Sequence, residues 1–318
     1  MTAFLRALAV AALVGTAPLT ASGAAARSES DPALAGLRSG FASQTVKVNG
    51  TTLHFVRGGR GPAVILLHGF PQDWYAWHRV MPRLARTFTV IAPDMRGVGR
   101  SSGAGHDIAT LAQDIRDLIV ALKLERAYLV GHDNGGMIAY AVARLYPDVI
   151  RGLMVMDSPI PGIAPWDQIK GDSKLWHFGF HQTPGLPEKM IAGRAFIYLR
   201  DFFDRLALNR RAVTDRDVAH YVRAYGRPAQ LRAGLAFYRE AYPSAERRNA
   251  ADRDATALPI TLVGGDHAMG MLNPAVAAAL PEHGWKTINV ELIRDSGHWI
   301  ADEQLEAVAQ LIERYAGR

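Results

Sequence analysis

Apolar positions along this chain follow two rhythms. Short apolar runs bounded by Gly, Pro or Asp alternate with longer stretches in which apolar residues recur every three or four positions. Residues 45–48 and 52–57 alternate in polarity about Asn49-Gly50, which predicts a hairpin closed by a two-residue turn. The run at 64–67 reads as a strand buried on both faces, 127–130 as a buried strand, and 87–92, 153–156, 260–263 and 287–292 as further strands. Helices are predicted between them at 77–84, 108–122, 137–145, 274–280 and 301–315; Ile108, Leu111, Ile115, Leu118, Ile119 and Leu122 show the helical spacing most plainly. Strands alternating with helices predict an α/β fold with a mostly parallel sheet and functional groups at the carboxyl ends of its strands. From 160 to 250 the rhythm changes. No strong strand appears, arginine and aromatic residues are dense, and helices are predicted at 173–180, 188–206, 215–224 and 229–241. The expected organisation is a core of 27–159 and 251–318 with a helical cap, 160–250, inserted into it.

Composition narrows the picture. A chain of 318 residues that is 49% hydrophobic can bury one large core together with an inserted subdomain. The formal charge of +6 is scattered, no nucleic-acid motif occurs, and the absence of cysteine leaves no disulfide to support the fold. Within residues 1–26, Arg6 is the only charge, 7–14 is apolar, and Ala24-Ala25-Ala26 supplies small residues for cleavage. This predicts a secretory signal peptide, hence a secreted or periplasmic protein. The apolar stretch, interrupted by Gly15 and Pro18, is too short for a transmembrane segment. Residues from 27 to about 41 read as a poorly ordered lead-in.

The stretch that carries chemistry is Gly131-His132-Asp133-Asn134-Gly135-Gly136. A buried strand leads into it and a small-residue helix leads out, which is the strand–turn–helix of a nucleophile elbow. The residue at its tip is Asp133, where serine is usual. A carboxylate needs no base to activate it. It attacks a saturated carbon with a strained or good leaving group, and the resulting aspartyl ester must then be hydrolysed with a histidine as base. His298, in Ser296-Gly297-His298-Trp299 after the last strand, fits that task, and Asp133, Asp157, His298 follow the chain order nucleophile, acid, histidine. Asp157 ends the strand after the elbow; Asp266, after the next strand, is its rival as the acid that orients His298. Asp94 is assigned to its own Pro-Asp loop. The backbone N–H groups of Phe70 and Asn134 are the expected oxyanion hole. In the cap, His177 and Tyr238 are candidates for protonating a leaving oxygen, although aromatic clusters in helices are more often core. No Gly-x-Ser-x-Gly occurs, which argues against a serine esterase.

With these residues in place the chain resembles the α/β-hydrolases of the epoxide hydrolase and haloalkane dehalogenase branch, and within it a secreted bacterial group of epoxide hydrolases. His68-Gly69-Phe70, Met156-Asp157-Ser158-Pro159-Ile160-Pro161, Trp176-His177-Phe178, Phe237-Tyr238-Arg239 and Ser296-Gly297-His298-Trp299 carry the likeness. It implies an α/β-hydrolase fold, Asp133 as nucleophile, Asp157 as charge-relay acid, His298 as base, His177 with Tyr238 as the ring-opening pair, a small-molecule epoxide as substrate, no cofactor or metal, and a homodimer. Two departures stand out. The secreted group carries glutamate at the position of Asp157, and Asn134 follows the nucleophile where dehalogenases carry arginine or tryptophan. Met137 and Phe178 likewise lack the arginine and tryptophan that grip a haloacid. The alternatives are a dehalogenase with the same aspartate nucleophile, and a secreted effector that acts by binding.

Overall fold

A computed structural model describes residues 26–27, 33–34, 37 and 40–318. The expected signal peptide, apart from Ala26, lies outside the described residues. Nine strands form one sheet in the order β1-β2-β3-β5-β4-β6-β7-β8-β9. They are β1 (Ala26–Arg27), β2 (Phe41–Val48), β3 (Thr51–Gly59), β4 (Ala63–Leu67), β5 (Thr89–Pro93), β6 (Ala127–His132), β7 (Ile150–Met156), β8 (Thr256–Gly265) and β9 (Trp285–Ile293). β1, β2, β3 and β5 pair antiparallel; every pairing from β5 through β9 is parallel. The β2–β3 hairpin turns at Asn49 and Gly50, both with positive φ, as the Asn-Gly signal requires.

The central strands β4, β5, β6 and β7 are buried almost throughout because helices cover both faces, whereas the edge strand β9 stays largely exposed. α2 (Ile108–Ala121) and α3 (Asn134–Leu145) bury one face in the larger core cluster, while α1 (Met81–Leu84) packs against the other. Asp107 caps α2, its carboxylate accepting from the N–H groups of Ala109 and Thr110. The helix expected over 77–84 is a 3₁₀ turn, Trp74–Trp77, followed by the short α1. The lead-in from 27 to 41 is tied down where it is described: β1 pairs with β2, and Ala33, Leu34 and Leu37 pack on the smaller core.

Between β7 and β8 the described chain is helical. The cap consists of α4 (Trp166–Gly171), α5 (His177–Gln182), α6 (Leu186–Ile191), α7 (Ala195–Leu206), α8 (Asp215–Tyr225), α9 (Pro228–Ala236) and α10 (Tyr242–Ala251). The single helix expected over 188–206 is two, broken where Gly193 takes φ +73°. The helix expected to end at 241 continues through a π turn, Phe237–Ala241, into α10. Pro243, which has no N–H to donate to the helix ladder, sits directly after this π turn. α11 (Asn273–Ala279), α12 (Ile300–Glu303) and α13 (Leu305–Ala316) complete the core.

Candidate active site

β6 delivers Asp133 to the carboxyl edge of the sheet, and the turn into α3 holds it at φ 51°, ψ −124°. Such a conformation is costly for a residue with a Cβ and persists only where the surroundings enforce it. They do so through glycine. A Cβ on Gly131 would lie 2.1 Å from the Gly135 carbonyl oxygen, and one on Gly135 would lie 2.3 Å from that of Leu67. Across the turn, a Cβ on Gly69 would meet the Asp133 side chain at 2.4 Å. Three backbone segments thus close around one carboxylate.

That carboxylate is divided between two tasks. Oδ1 accepts from the Phe70 N–H at 2.9 Å, and the Asn134 N–H also bonds the group. Oδ2 faces His298 Nε2 at 3.8 Å, too far for a direct hydrogen bond. Burial raises the pKa of Asp133; the His298 charge and the two N–H groups oppose it. The Phe70 loop is itself braced. His68 Nδ1–H donates to the Gly69 carbonyl, and its Nε2 accepts from Met95 N–H, so burial keeps this histidine neutral. Asp94 accepts from Trp74 N–H, Arg100 N–H and His54, the structural part its Pro-Asp loop suggested.

His298 Nδ1–H donates to Asp157 Oδ2 at 2.8 Å. Asp157 is fully buried and its other oxygen accepts from Met269 and Gly265 N–H groups. Asp266 accepts from the backbone of Ser296 instead, and no bond joins it to His298. Burial disfavours the charged form of His298, but Asp157 and Asp133 outweigh it and raise its pKa above 6.5. The histidine loop is clamped to the cap: His298 N–H donates to the Leu206 carbonyl and Trp299 Nε1–H to that of Phe203. His132 Nε2–H donates to the His298 carbonyl at 2.8 Å. His132, Asp157 and His298 place possible metal-ligand atoms within 4.8 Å of one another, yet those of His298 and Asp157 are already engaged with each other.

The cap sets an aromatic wall over the carboxylate. Tyr238, on the π turn, lies edge-on to Phe70 at 5.7 Å and stacks on Tyr242. Among the described residues its hydroxyl has no hydrogen-bond partner, and burial drives its pKa well above 10. His177, on α5, lies 6.0 Å from Tyr238 between ring centres and 4.9 Å from Phe202. Burial, then the charges of Arg205 and His298, lower its pKa to about 3, so it is a neutral imidazole at pH 7. Asp133 and His298 each keep 12% of their side-chain surface accessible. Two open surface clefts, of about 510 Å³ beside Arg248 and about 460 Å³ beside Asn49, hold none of these residues.

Residues 62–305 match the model of the alpha/beta hydrolase fold family. The chain belongs to this family. It is 33% identical over 277 residues to a soluble epoxide hydrolase from Corynebacterium sp., covering 82% of this chain and 92% of that one. It is 40% identical over 162 residues, 48% of this chain and 53% of the other, to a fluoroacetate dehalogenase from Burkholderia sp.. Among solved structures, Cfl2 from Burkholderia cenocepacia superimposes with TM-score 0.79 at 37% identity, over 90% of this chain and 98% of that one. The sequence reading passed over His181, which the structure sets against Tyr238 at 4.4 Å between ring centres. Its spacing of one helical turn from His177 puts both on one helix face, a relation that the aromatic-rich context masks in the sequence.

Proposed function

We propose that this protein hydrolyses an epoxide to a vicinal diol through an ester on Asp133. One observation carries the reading: a single carboxylate has Oδ1 held by backbone N–H groups and Oδ2 turned towards a histidine whose other nitrogen is tied to a buried acid. Its relatives include a soluble epoxide hydrolase that matches over most of both chains.

Oδ2 attacks an oxirane carbon and the carbon–oxygen bond breaks. The emerging alkoxide, far more basic than a phenolate, takes the Tyr238 proton, with His177 beside it. In the second step His298 Nε2 removes a proton from water, which attacks the ester carbonyl carbon. Negative charge gathers on Oδ1 and meets the N–H groups of Phe70 and Asn134; losing one such donor typically costs about 10²–10³ in rate. Collapse releases the diol oxygen, which takes the proton held by His298. The second water proton, left on the re-formed carboxyl group, restores the Tyr238 phenol. Asp157 keeps His298 in the correct tautomer throughout.

A His298→Gln variant incubated with an epoxide and weighed intact is the test. An adduct equal to the whole epoxide supports the reading. A haloacid that leaves an adduct lacking its halide, with no epoxide adduct, would establish the dehalogenase reading that the fluoroacetate dehalogenase match favours. If Asp133→Ser lost all turnover yet kept every biological effect, an effector acting by binding would replace both. The N-terminal pattern and the resemblance also support export after removal of residues 1–26, and a homodimer. N-terminal sequencing of protein from the periplasm and the medium, and light scattering, test these.

A further inference from the structure

Buried polar atoms without partners are few in folded proteins, and each leaves about 1–3 kcal/mol uncompensated. Around this nucleophile there are several. His177 Nδ1, His181 Nδ1 and both amide atoms of the Asn134 side chain are sealed from water with no hydrogen-bond partner. His181 is the extreme case, with 0% of its surface exposed. Its ring stands edge-on to Tyr238 at 4.4 Å and to Phe70 at 4.9 Å, the residue whose N–H holds Asp133. It thus touches the side chain of the residue whose backbone holds the reacting carboxylate, in an aromatic wall that also contains His177 and Tyr238.

The hydrogen-bonding state of His181 follows from its one partner. Nε2 lies 2.5 Å from the Tyr198 hydroxyl. Burial, aided by the charges of Arg239, Arg205 and His177, holds the imidazole neutral, and burial raises the Tyr198 phenol so that it keeps its proton. If Nε2–H donated to Tyr198, both the phenol proton and the Nδ1 lone pair would be unused. If Tyr198 O–H donates to Nε2, only Nδ1–H is left over. The second arrangement satisfies more groups, so Nδ1 carries an unused N–H donor.

We propose that His181, oriented by Tyr198, is a specificity-determining residue that donates from Nδ1–H to a neutral acceptor oxygen near the oxirane. The substrate class is an epoxide with an ether, hydroxyl or carbonyl oxygen close to the ring. A carboxylate is repelled by the anionic Asp133; Arg205, over Phe202 and Trp176, gives one nitrogen to the Lys174 carbonyl and has Nε and Nη2 without a hydrogen-bond partner. The inference rests on the epoxide hydrolase reading and adds the kind of epoxide to it.

Matched pairs that exchange an ether oxygen for CH₂ test it: glycidyl methyl ether against 1,2-epoxypentane, and phenyl glycidyl ether against 1,2-epoxy-4-phenylbutane. The wild type should favour the ether in kcat/KM by roughly 10-fold or more, as a site built to bond an oxygen rejects its hydrocarbon analogue. His181→Phe should bring the ratio close to one. Tyr198→Phe, which removes one oxygen from a half-buried ring and leaves the volume nearly unchanged, should lower the ratio in the same direction. The proposal is overturned if the wild type shows no preference, or if both variants slow the two members of each pair equally, which would make His181 a positioning residue for Tyr238. Should no epoxide be turned over and none label the His298→Gln protein, the epoxide hydrolase reading falls first and this one with it.

Discussion

Replacing Asp157 by asparagine separates the two chemical steps. Asp157 is fully buried, binds His298 Nδ1 at 2.8 Å, and is held by the N–H groups of Met269 and Gly265. An asparagine side chain fits the same space but brings no charge to stabilise the imidazolium, and its NH₂ group favours the wrong histidine tautomer. The comparable change in a serine triad costs about 10⁴ in kcat. Here the loss should fall on ester hydrolysis alone. The attack by Asp133 Oδ2 needs no base, and its Phe70 contact does not involve Asp157. Rapid mixing of the variant with excess epoxide should show one equivalent of epoxide consumed per active site, then near-arrest, with the adduct visible by intact mass. Asp266→Asn should stay within a few-fold of wild type, because Asp266 accepts from the Ser296 and Asp295 backbone and makes no bond to His298. Steady turnover by Asp157→Asn within about tenfold of wild type, or an equal loss in Asp266→Asn, would refute the assignment.

Ester hydrolysis in the wild type should rise with pH as His298 loses its proton, because the ring must be neutral to accept one; Asp157 still favours its charged form in the ester, whereas the esterified Asp133 no longer does; stopped-flow decay of the ester from pH 5 to 9 reads this. Tyr238→Phe should slow ring opening by about 10²–10⁴ and leave hydrolysis of a preformed ester unchanged, measured by single turnover. Gly135→Ala puts a methyl group 2.3 Å from the Leu67 carbonyl and should cost about 3 kcal/mol in denaturant unfolding, with a loss under 1 kcal/mol refuting the close approach. Burial raises Asp302 from 3.8 to about 7, so its contribution is present below 3.8 and lost as pH rises to about 7. Asp302→Asn stays neutral and should remove part of that decline, raising Tm relative to wild type by roughly 5 °C more at pH 7.5 than at pH 4.

How far the sequence reached can be judged residue by residue. Period-two and period-3.6 patterns record which faces are buried, so the sheet, its flanking helices and the Asn49-Gly50 turn were legible. So was the elbow, because only glycine fits where Gly131 and Gly135 meet backbone at 2.1 and 2.3 Å. The alternation failed in the cap. There helix ends depend on one backbone conformation at Gly193 and one wide turn at Phe237–Ala241, neither of which alters apolar spacing. The orienting acid reads as Asp157 with Asp266 as its rival, since both follow strands; which one reaches His298 is settled by where the ends of β7 and β8 lie against the last loop. His181 was silent in the chain for a related reason. A histidine among aromatic residues reads as core until the fold shows that one nitrogen has a partner and the other has none. The chain by itself thus determined the periodic elements and the reactive aspartate, which are local. Only the tertiary structure decided which distant side chains share hydrogen bonds, because those distances are set by the packing of strand ends against cap helices far apart in sequence.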